Sequence, residues 1–363
     1  MTDSLTTTAP AQTLRPKPLL EVEDLRTWFQ TPGGWLKAVD GVSLTLERGK
    51  ALGVVGESGS GKTILSRSIM RLLPRRGLRT EGSVRFDGTD MMQLKPKELR
   101  ELWGPQVAMI FQDPMTSLNP VMKIGQQIME GLRIHLGMDK SEARETATAL
   151  LREVGIPEPK RRIDEYPHQL SGGMRQRITI AIALACGPKL LMADEPTTAL
   201  DVTVQSQILD LLQREQRDRD MSIVMVTHDL GVVAGRTDEI AVMYAGRIVE
   251  RAPTRQLFAN LKMPYTEALL NSIPKLEYPS HTRLDALGGR PPDLVNAPKG
   301  CKFAPRCPYA RDRCHQEEPP LMEAESPGHV FRCWYPVGSP EWTETRERMG
   351  ASTEVSVAPP AVG

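Results

Sequence analysis

Through the first 260 positions, short apolar blocks alternate with segments whose apolar residues recur at helical spacing. Ala51-Leu-Gly-Val-Val55 is an unbroken apolar block that ends at a glycine, the pattern of a strand buried on both faces. Leu190-Leu-Met-Ala193 and Ile223-Val-Met-Val226 repeat it. Leu65, Ile69, Leu72 and Leu73 fall on one helical face, with Pro74 as the stop; Val204, Ile208, Leu211 and Leu212 mark another helix. Strands alternating with helices predict an α/β fold with a parallel sheet covered on both sides. Residues 114–170 break the rhythm and predict a mainly helical insert, with Met129, Leu132, Ala149, Leu150 and Val154 as core positions. No tandem repeat is evident.

The pattern sets expected boundaries. Residues 1–17 and 338–363 are rich in Pro, Ser, Thr and Ala without periodicity and predict disorder. Residues 18–262 form the α/β domain. Beyond Lys262 prolines and charges become frequent, which predicts a small appended domain over 263–337 with a thin core. In 363 residues, 46 Lys and Arg nearly cancel 45 Asp and Glu, so charge gives no reason to expect a nucleic-acid partner. No apolar run approaches the roughly 18 residues of a membrane span, and the N-terminus lacks the apolar stretch of a secretory signal. The expectation is a cytoplasmic chain that meets a membrane only through partner proteins.

Gly56-Glu-Ser-Gly-Ser-Gly61-Lys62-Thr63 fits G-x-x-x-x-G-K-[ST] directly after a predicted strand and before a predicted helix. The backbone N–H groups of Gly56, Ser58, Gly59, Ser60 and Gly61 can curl around phosphate oxygens at a helix N-terminus. Lys62 supplies a positive charge for the β- and γ-phosphates, and the Thr63 hydroxyl can ligate Mg²⁺. The apolar block from Leu190 ends in Asp194-Glu195, at a strand tip where ligands of parallel sheets bind. Asp194 is expected on the Mg²⁺ side, and Glu195, on the other side of the strand, is expected to face the attacking water as general base.

Leu170-Ser-Gly-Gly-Met-Arg-Gln-Arg177 resembles the signature motif of the ATP-binding-cassette (ABC) ATPases, and the remaining motifs of that family follow in order. Gln112 resembles the Q-loop glutamine and a Mg²⁺ ligand, Ala199-Leu-Asp201 the D-loop, and His228 the switch histidine. The resemblance covers residues 20–260. It implies a RecA-like parallel core with an antiparallel β subdomain and a helical subdomain. It also implies ATP as substrate, with catalytic roles for Glu195, His228, Lys62 and Gln112. Two cassettes would pack head to tail, so that Ser171, Gly172, Gly173 and Asp201 of one close over ATP held by the other. An aromatic near the end of the first strand should stack on adenine: Phe29 is the choice by spacing, with Trp28 and Trp35 as rivals.

Phe111-Gln-Asp-Pro-Met-Thr-Ser-Leu-Asn-Pro120 is similar to the extended Q-loop of the oligopeptide/dipeptide/nickel importer ATPases. Four of five cysteines form Cys301-x₅-Cys307-x₆-Cys314-x₁₈-Cys333 in a region resembling that family's C-terminal domain. Disulfides are disfavoured in a reducing compartment, and four thiolates in a segment with little core suit either a [4Fe–4S] cluster or tetrahedral zinc. Spacing leaves those two open beside four free thiols; the resemblance favours iron–sulfur. His315 and His329 lie in the same stretch, and Cys186, among alanines and isoleucines, reads as core.

The resemblance thus implies the motor of a peptide importer at the cytoplasmic face of the cell membrane. Its partners would be two membrane-spanning permeases, a second ABC ATPase (a paralogue or another copy) and an extracytoplasmic solute-binding protein. Nickel, haem or another small solute stand as alternative cargoes. A soluble ABC ATPase of repair or translation is the alternative from another class, opposed by the single cassette and the absence of coiled-coil heptads.

Overall fold

The structure, a computed structural model, describes residues 17–74, 76–198, 200–273 and 288–350. Residues 1–16 of the expected disordered stretch 1–17, the D-loop Ala199 and residues 351–363 of the expected tail lie outside them. Twelve strands occur among the described residues: β1 (Leu20–Thr31), β2 (Gly34–Leu46), β3 (Ala51–Val55), β4 (Leu78–Phe86), β5 (Thr89–Asp90), β6 (Val107–Ile110), β7 (Leu190–Asp194), β8 (Ser222–Thr227), β9 (Glu239–Tyr244), β10 (Arg247–Pro253), β11 (Met322–Glu323) and β12 (Val330–Phe331).

They make two sheets. An antiparallel sheet runs β2-β1-β4-β5, and an eight-stranded sheet runs β11-β12-β10-β9-β3-β8-β7-β6. Its centre is parallel: β3 lies between β8 and β9, and β7 between β8 and β6. Burial on both faces explains the unbroken apolar blocks of these strands. Alternation divides them between two cores: Ala51, Val55, Leu191, Ala193, Ile223 and Met225 face one, Leu52, Val54, Leu190, Met192, Val224 and Val226 the other. The second core is closed by the antiparallel sheet through Val22, Leu25 and Val84, and by Leu65 and Ile69 of the helix Lys62–Ile69. The first is closed by the helix Gly172–Leu184 and by the helical segment that includes Ile124–Leu136 and Lys140–Glu153.

Three expectations are corrected. The helix after the phosphate loop stops at Ile69, before Pro74, because Arg71 takes a left-handed φ of 54°; Leu72 is 36% exposed rather than core. Ala149 is exposed, and Ala143 and Ala147 fill the inner positions of its helix. The tail expected to be structureless from 338 instead forms the helix Pro340–Arg348, capped by the Ser339 hydroxyl. That helix is held by Trp342, which is buried, packs with its ring tilted against Tyr309 at 5.7 Å and donates its indole N–H to Glu267 at 3.3 Å.

The segment after residue 288 is built onto the main sheet. Strand β12 pairs antiparallel with β10, carrying β11 beyond it. Phe303, Phe331 and Cys333 join the first core, while Leu261, Tyr309, Val337 and Trp342 form a small cluster of their own. His329 is fully buried and places Nε2 at 2.8 Å from Glu250 Oε1, whose carboxylate also accepts the N–H groups of Lys262 and Met263.

Candidate active site

The end of β3 turns at Gly56 into the loop that opens the helix Lys62–Ile69. Glycine is required at two points of that turn. A Cβ on Gly56 would stand 2.1 Å from the Met243 carbonyl oxygen, and one on Gly61, at φ 104°, would stand 2.2 Å from that of Ala38. Gly59 has nothing within 4 Å of a Cβ position, so the crown of the loop is open, and Ser58 there is exposed. Inside it, Lys62 is buried and its Nζ donates to the carbonyls of Gly56 (2.7 Å) and Glu57 (2.9 Å). Burial pulls its ammonium below the ordinary value, against the charges of Glu195, Asp194 and Glu57. The buried Ser60 hydroxyl has no protein partner.

Strand β7 delivers Asp194 beside this loop. Its Oδ1 accepts from the Thr63 hydroxyl at 3.1 Å, and its buried Oδ2 has no protein partner. Burial raises this carboxyl above the usual range, Glu195 adds to that, and the Thr63 hydrogen bond with the charges of Arg67 and Lys62 opposes it. An orphaned carboxylate oxygen beside a hydroxyl is a fit for Mg²⁺, which takes few protein ligands and keeps waters and phosphates. The Gln112 amide nitrogen donates to Glu195 Oε2 at 3.1 Å.

Glu195 leaves the strand in a left-handed conformation, φ 47°, with its N–H on the Val226 carbonyl at 2.9 Å. Strained backbone of this kind tends to mark functional turns. On Oε2 three groups converge: the Gln112 amide, the Thr198 hydroxyl at 2.8 Å and His228 Nδ1 at 3.5 Å. The Glu195 side chain is 11% exposed and that of His228 61%. None of the sequence motifs above includes Thr198; its place three residues after the glutamate is the signal that marks it.

The signature segment sits elsewhere on the surface. Ser171 caps the helix Gly172–Leu184, accepting from the Met174 N–H at 3.3 Å, and both Ser171 and Gly172 are exposed. A Cβ on Gly172 would meet nothing within 4 Å; Gly173 lies against Val204. Asp201 accepts from the Val204 N–H at 2.9 Å and so caps the next helix. Among the aromatic candidates, Trp28 has Lys37 Nζ at 5.1 Å and the Arg79 guanidinium at 5.0 Å from its ring centre. Those cations occupy a surface that stacking on a base would need. Phe29 is half-buried and in register with Leu36 and Leu78, with no cation over its ring among the described residues, and Trp35 is 38% exposed.

Cys301, Cys307, Cys314 and Cys333 line one cavity of about 10 Å³, with the Cys301 N–H on the Cys314 carbonyl at 2.7 Å. That is room for one water-sized atom. Burial pushes the Cys301 thiol to about 11 and Cys307 to about 12, and raises Cys333 as well. Among the described residues, no three His, Cys, Asp or Glu side chains stand where they could hold a metal ion. The donor set suits a soft metal, but the cysteines as placed leave no space for a four-iron cluster. His329 is committed to Glu250. Cys186 is half-buried, its thiol raised by burial.

Comparison with known proteins agrees with this geometry. Residues 39–198 match the family described as "ABC transporter", and residues 249–314 match "Oligopeptide/dipeptide transporter, C-terminal region". The oligopeptide transport ATP-binding protein OppD of Salmonella typhimurium is 50% identical, over 88% of this chain and 94% of its own. OppD of Bacillus subtilis is 48% identical, over 92% and 95%. Among solved structures, a dimeric bacterial ABC transporter cassette aligns with 65% of this chain and 99% of its own, at a TM-score of 0.59 and 27% identity.

Proposed function

The chain belongs to the ATP-binding subunits of ABC transporters, in the branch with the oligopeptide/dipeptide C-terminal region, and we propose that it is the ATP-hydrolysing motor of a peptide importer. The observation that carries the ATPase reading is the convergence on Glu195 Oε2, beside an orphaned Asp194 oxygen and an open phosphate loop. The loop N–H groups take the triphosphate, and Lys62 leaves the carbonyls of Gly56 and Glu57 for the β- and γ-phosphates. Thr63 and Asp194 would hold Mg²⁺, which when bound neutralises charge on the phosphates. Glu195 takes a proton from the attacking water as its oxygen bonds to the γ-phosphorus and the bond to ADP breaks. Gln112 and Thr198 aim that carboxylate, and His228 reaches the γ-phosphate. Phe29 stacks on adenine.

The exposed Ser171-Gly172-Gly173 helix start is a second anion site that its own phosphate loop does not use, which supports ATP closed between two cassettes. The second cassette is a paralogue in this reading. No described helix is long and apolar enough to cross a membrane. By likeness to oligopeptide transport ATP-binding proteins, two permeases supply the path and a solute-binding protein the cargo, with this subunit peripheral at the cytoplasmic face. Phe111, 40% exposed, and Val121, 80% exposed, flank the extended Q-loop and offer an apolar seat for a permease segment. At the four cysteines only the family resemblance supports a metal centre, [4Fe–4S] or zinc; as placed, the described side chains form no site for one.

Glu195→Gln tests the ATPase reading. It is expected to bind Mg·ATP as tightly as the wild type and to hydrolyse it on the order of 10²- to 10⁴-fold more slowly. Turnover within threefold of wild type would remove Glu195 as the general base.

A further inference from the structure

Arg306 is separated from Glu57 by 249 residues, yet its guanidinium lies on the phosphate loop. Nη1 donates to Glu57 Oε2 at 2.6 Å and Nη2 to Oε1 at 2.9 Å, a two-pronged pair in which the arginine is 3% and the glutamate 24% exposed. The guanidinium is fixed from behind by Nε on the Gly288 carbonyl at 2.8 Å, and Nη1 also reaches the Tyr244 hydroxyl at 3.3 Å. Glu57 is held a second time, its N–H donating to the Tyr265 hydroxyl at 2.8 Å. Tyr265 is fully buried and packs on Tyr244 at 4.5 Å and Phe303 at 5.3 Å.

What is held here matters for the nucleotide. The Glu57 carbonyl accepts from Lys62 Nζ at 2.9 Å and from the Ser60 N–H at 3.1 Å, so its position sets that of the lysine and of the loop's inner turn. Its carboxylate sits one residue past Gly56, in the loop that receives a triphosphate. Left unpaired, that charge would repel the ligand, and the loop would lose its outer support.

We infer that Arg306 is a positioning residue for ATP binding, a strut from the C-terminal segment that neutralises Glu57 and holds the phosphate loop in its receptive shape. The inference rests on the reading of Gly56–Thr63 as the ATP site and adds a part that lies outside every nucleotide motif. It also gives the C-terminal segment a mechanical link to the phosphate loop. Arg306 ends the turn Ala304–Arg306, which the Cys301 carbonyl opens by accepting from Ala304 N–H at 3.0 Å, and Cys307 follows directly.

The test is equilibrium titration of the full chain with Mg·ATP, alongside steady-state hydrolysis. Arg306→Gln is expected to weaken ATP binding roughly tenfold, the scale of one uncompensated charge near the phosphates, and to raise KM by the same factor with kcat within about twofold. Adding Glu57→Gln to it removes the repelling charge and should recover most of the lost affinity. Wild-type affinity in Arg306→Gln overturns the inference, as does a loss that the second substitution leaves undiminished, since that marks Arg306 as packing alone. Should Arg306→Gln fail to fold, Arg306→Lys keeps the charge and loses the fork. Faster amide exchange over residues 57–61 with weaker ATP binding is then expected, and wild-type behaviour in both overturns the strut. Lys62→Ala serves as the separate control: if it binds ATP normally, the site itself is misassigned, whatever Arg306 does.

Discussion

Asp194 and Glu195 are adjacent, yet their surroundings divide their work. Asp194 is fully buried with one oxygen on Thr63 and the other unpartnered, so burial holds its carboxyl above the usual range. A carboxyl whose native pKa is raised above its unfolded value binds its proton more tightly when folded. Its contribution to stability is therefore complete below about pH 4, the unfolded value, and is lost as pH rises through the raised native one. The melting temperature of the nucleotide-free chain, followed between pH 4 and pH 7, should accordingly fall relative to that of Asp194→Asn. Saturating Mg·ATP should abolish the difference by favouring the carboxylate; parallel curves for the two proteins would contradict it. At this scale the sequence was most legible where chemistry is local. Lys62, Thr63, Asp194 and Glu195 stand in short motifs and meet in space as expected. The Gln112 amide nitrogen pairs with Glu195, a contact that no local pattern signals. The Glu57–Arg306 pair was invisible, because no local pattern signals a partner 249 residues away.

Elements were legible in proportion to their burial. Strands β3, β7 and β8, apolar on both faces, stand where their blocks predicted. The helix after the phosphate loop was read a turn too long because Leu72 and Leu73 continue its apolar spacing, while the left-handed Arg71 that ends it has no sequence signature. The terminal helix Pro340–Arg348 has no apolar periodicity, since five of its nine residues are charged and one buried tryptophan keeps it in place. The cysteine segment Cys301–Cys333 makes a prediction of its own. Burial raises Cys301, Cys307 and Cys333 and so favours their neutral thiols, and a metal that displaces those protons would become part of the local fold. Elemental analysis of the purified chain separates resemblance from geometry: the family resemblance predicts iron with acid-labile sulfide, or zinc, near one centre per chain, and the cysteines as placed predict neither. Replacing Cys301 and Cys307 with serine should remove such a centre and lower the melting temperature. Metal content at background in the wild type would leave the cysteines as free thiols.

At the scale of the molecule, β12 and β11 extend the sheet whose centre carries the phosphate loop, so the C-terminal segment and the ATP site share one framework. What the chain leaves open is equally informative. The signature helix start is exposed, and its serine is occupied only with capping its own helix. The central claim is that this start closes on ATP held by another cassette. Amide exchange at Ser171–Met174 measures that directly, with the Glu195→Gln chain diluted alone and then assembled with its ATPase and membrane partners, each with and without Mg·ATP. The account predicts strong protection only when nucleotide and a second cassette are both present. Protection by ATP in the isolated chain, or none in the closed assembly, would contradict it.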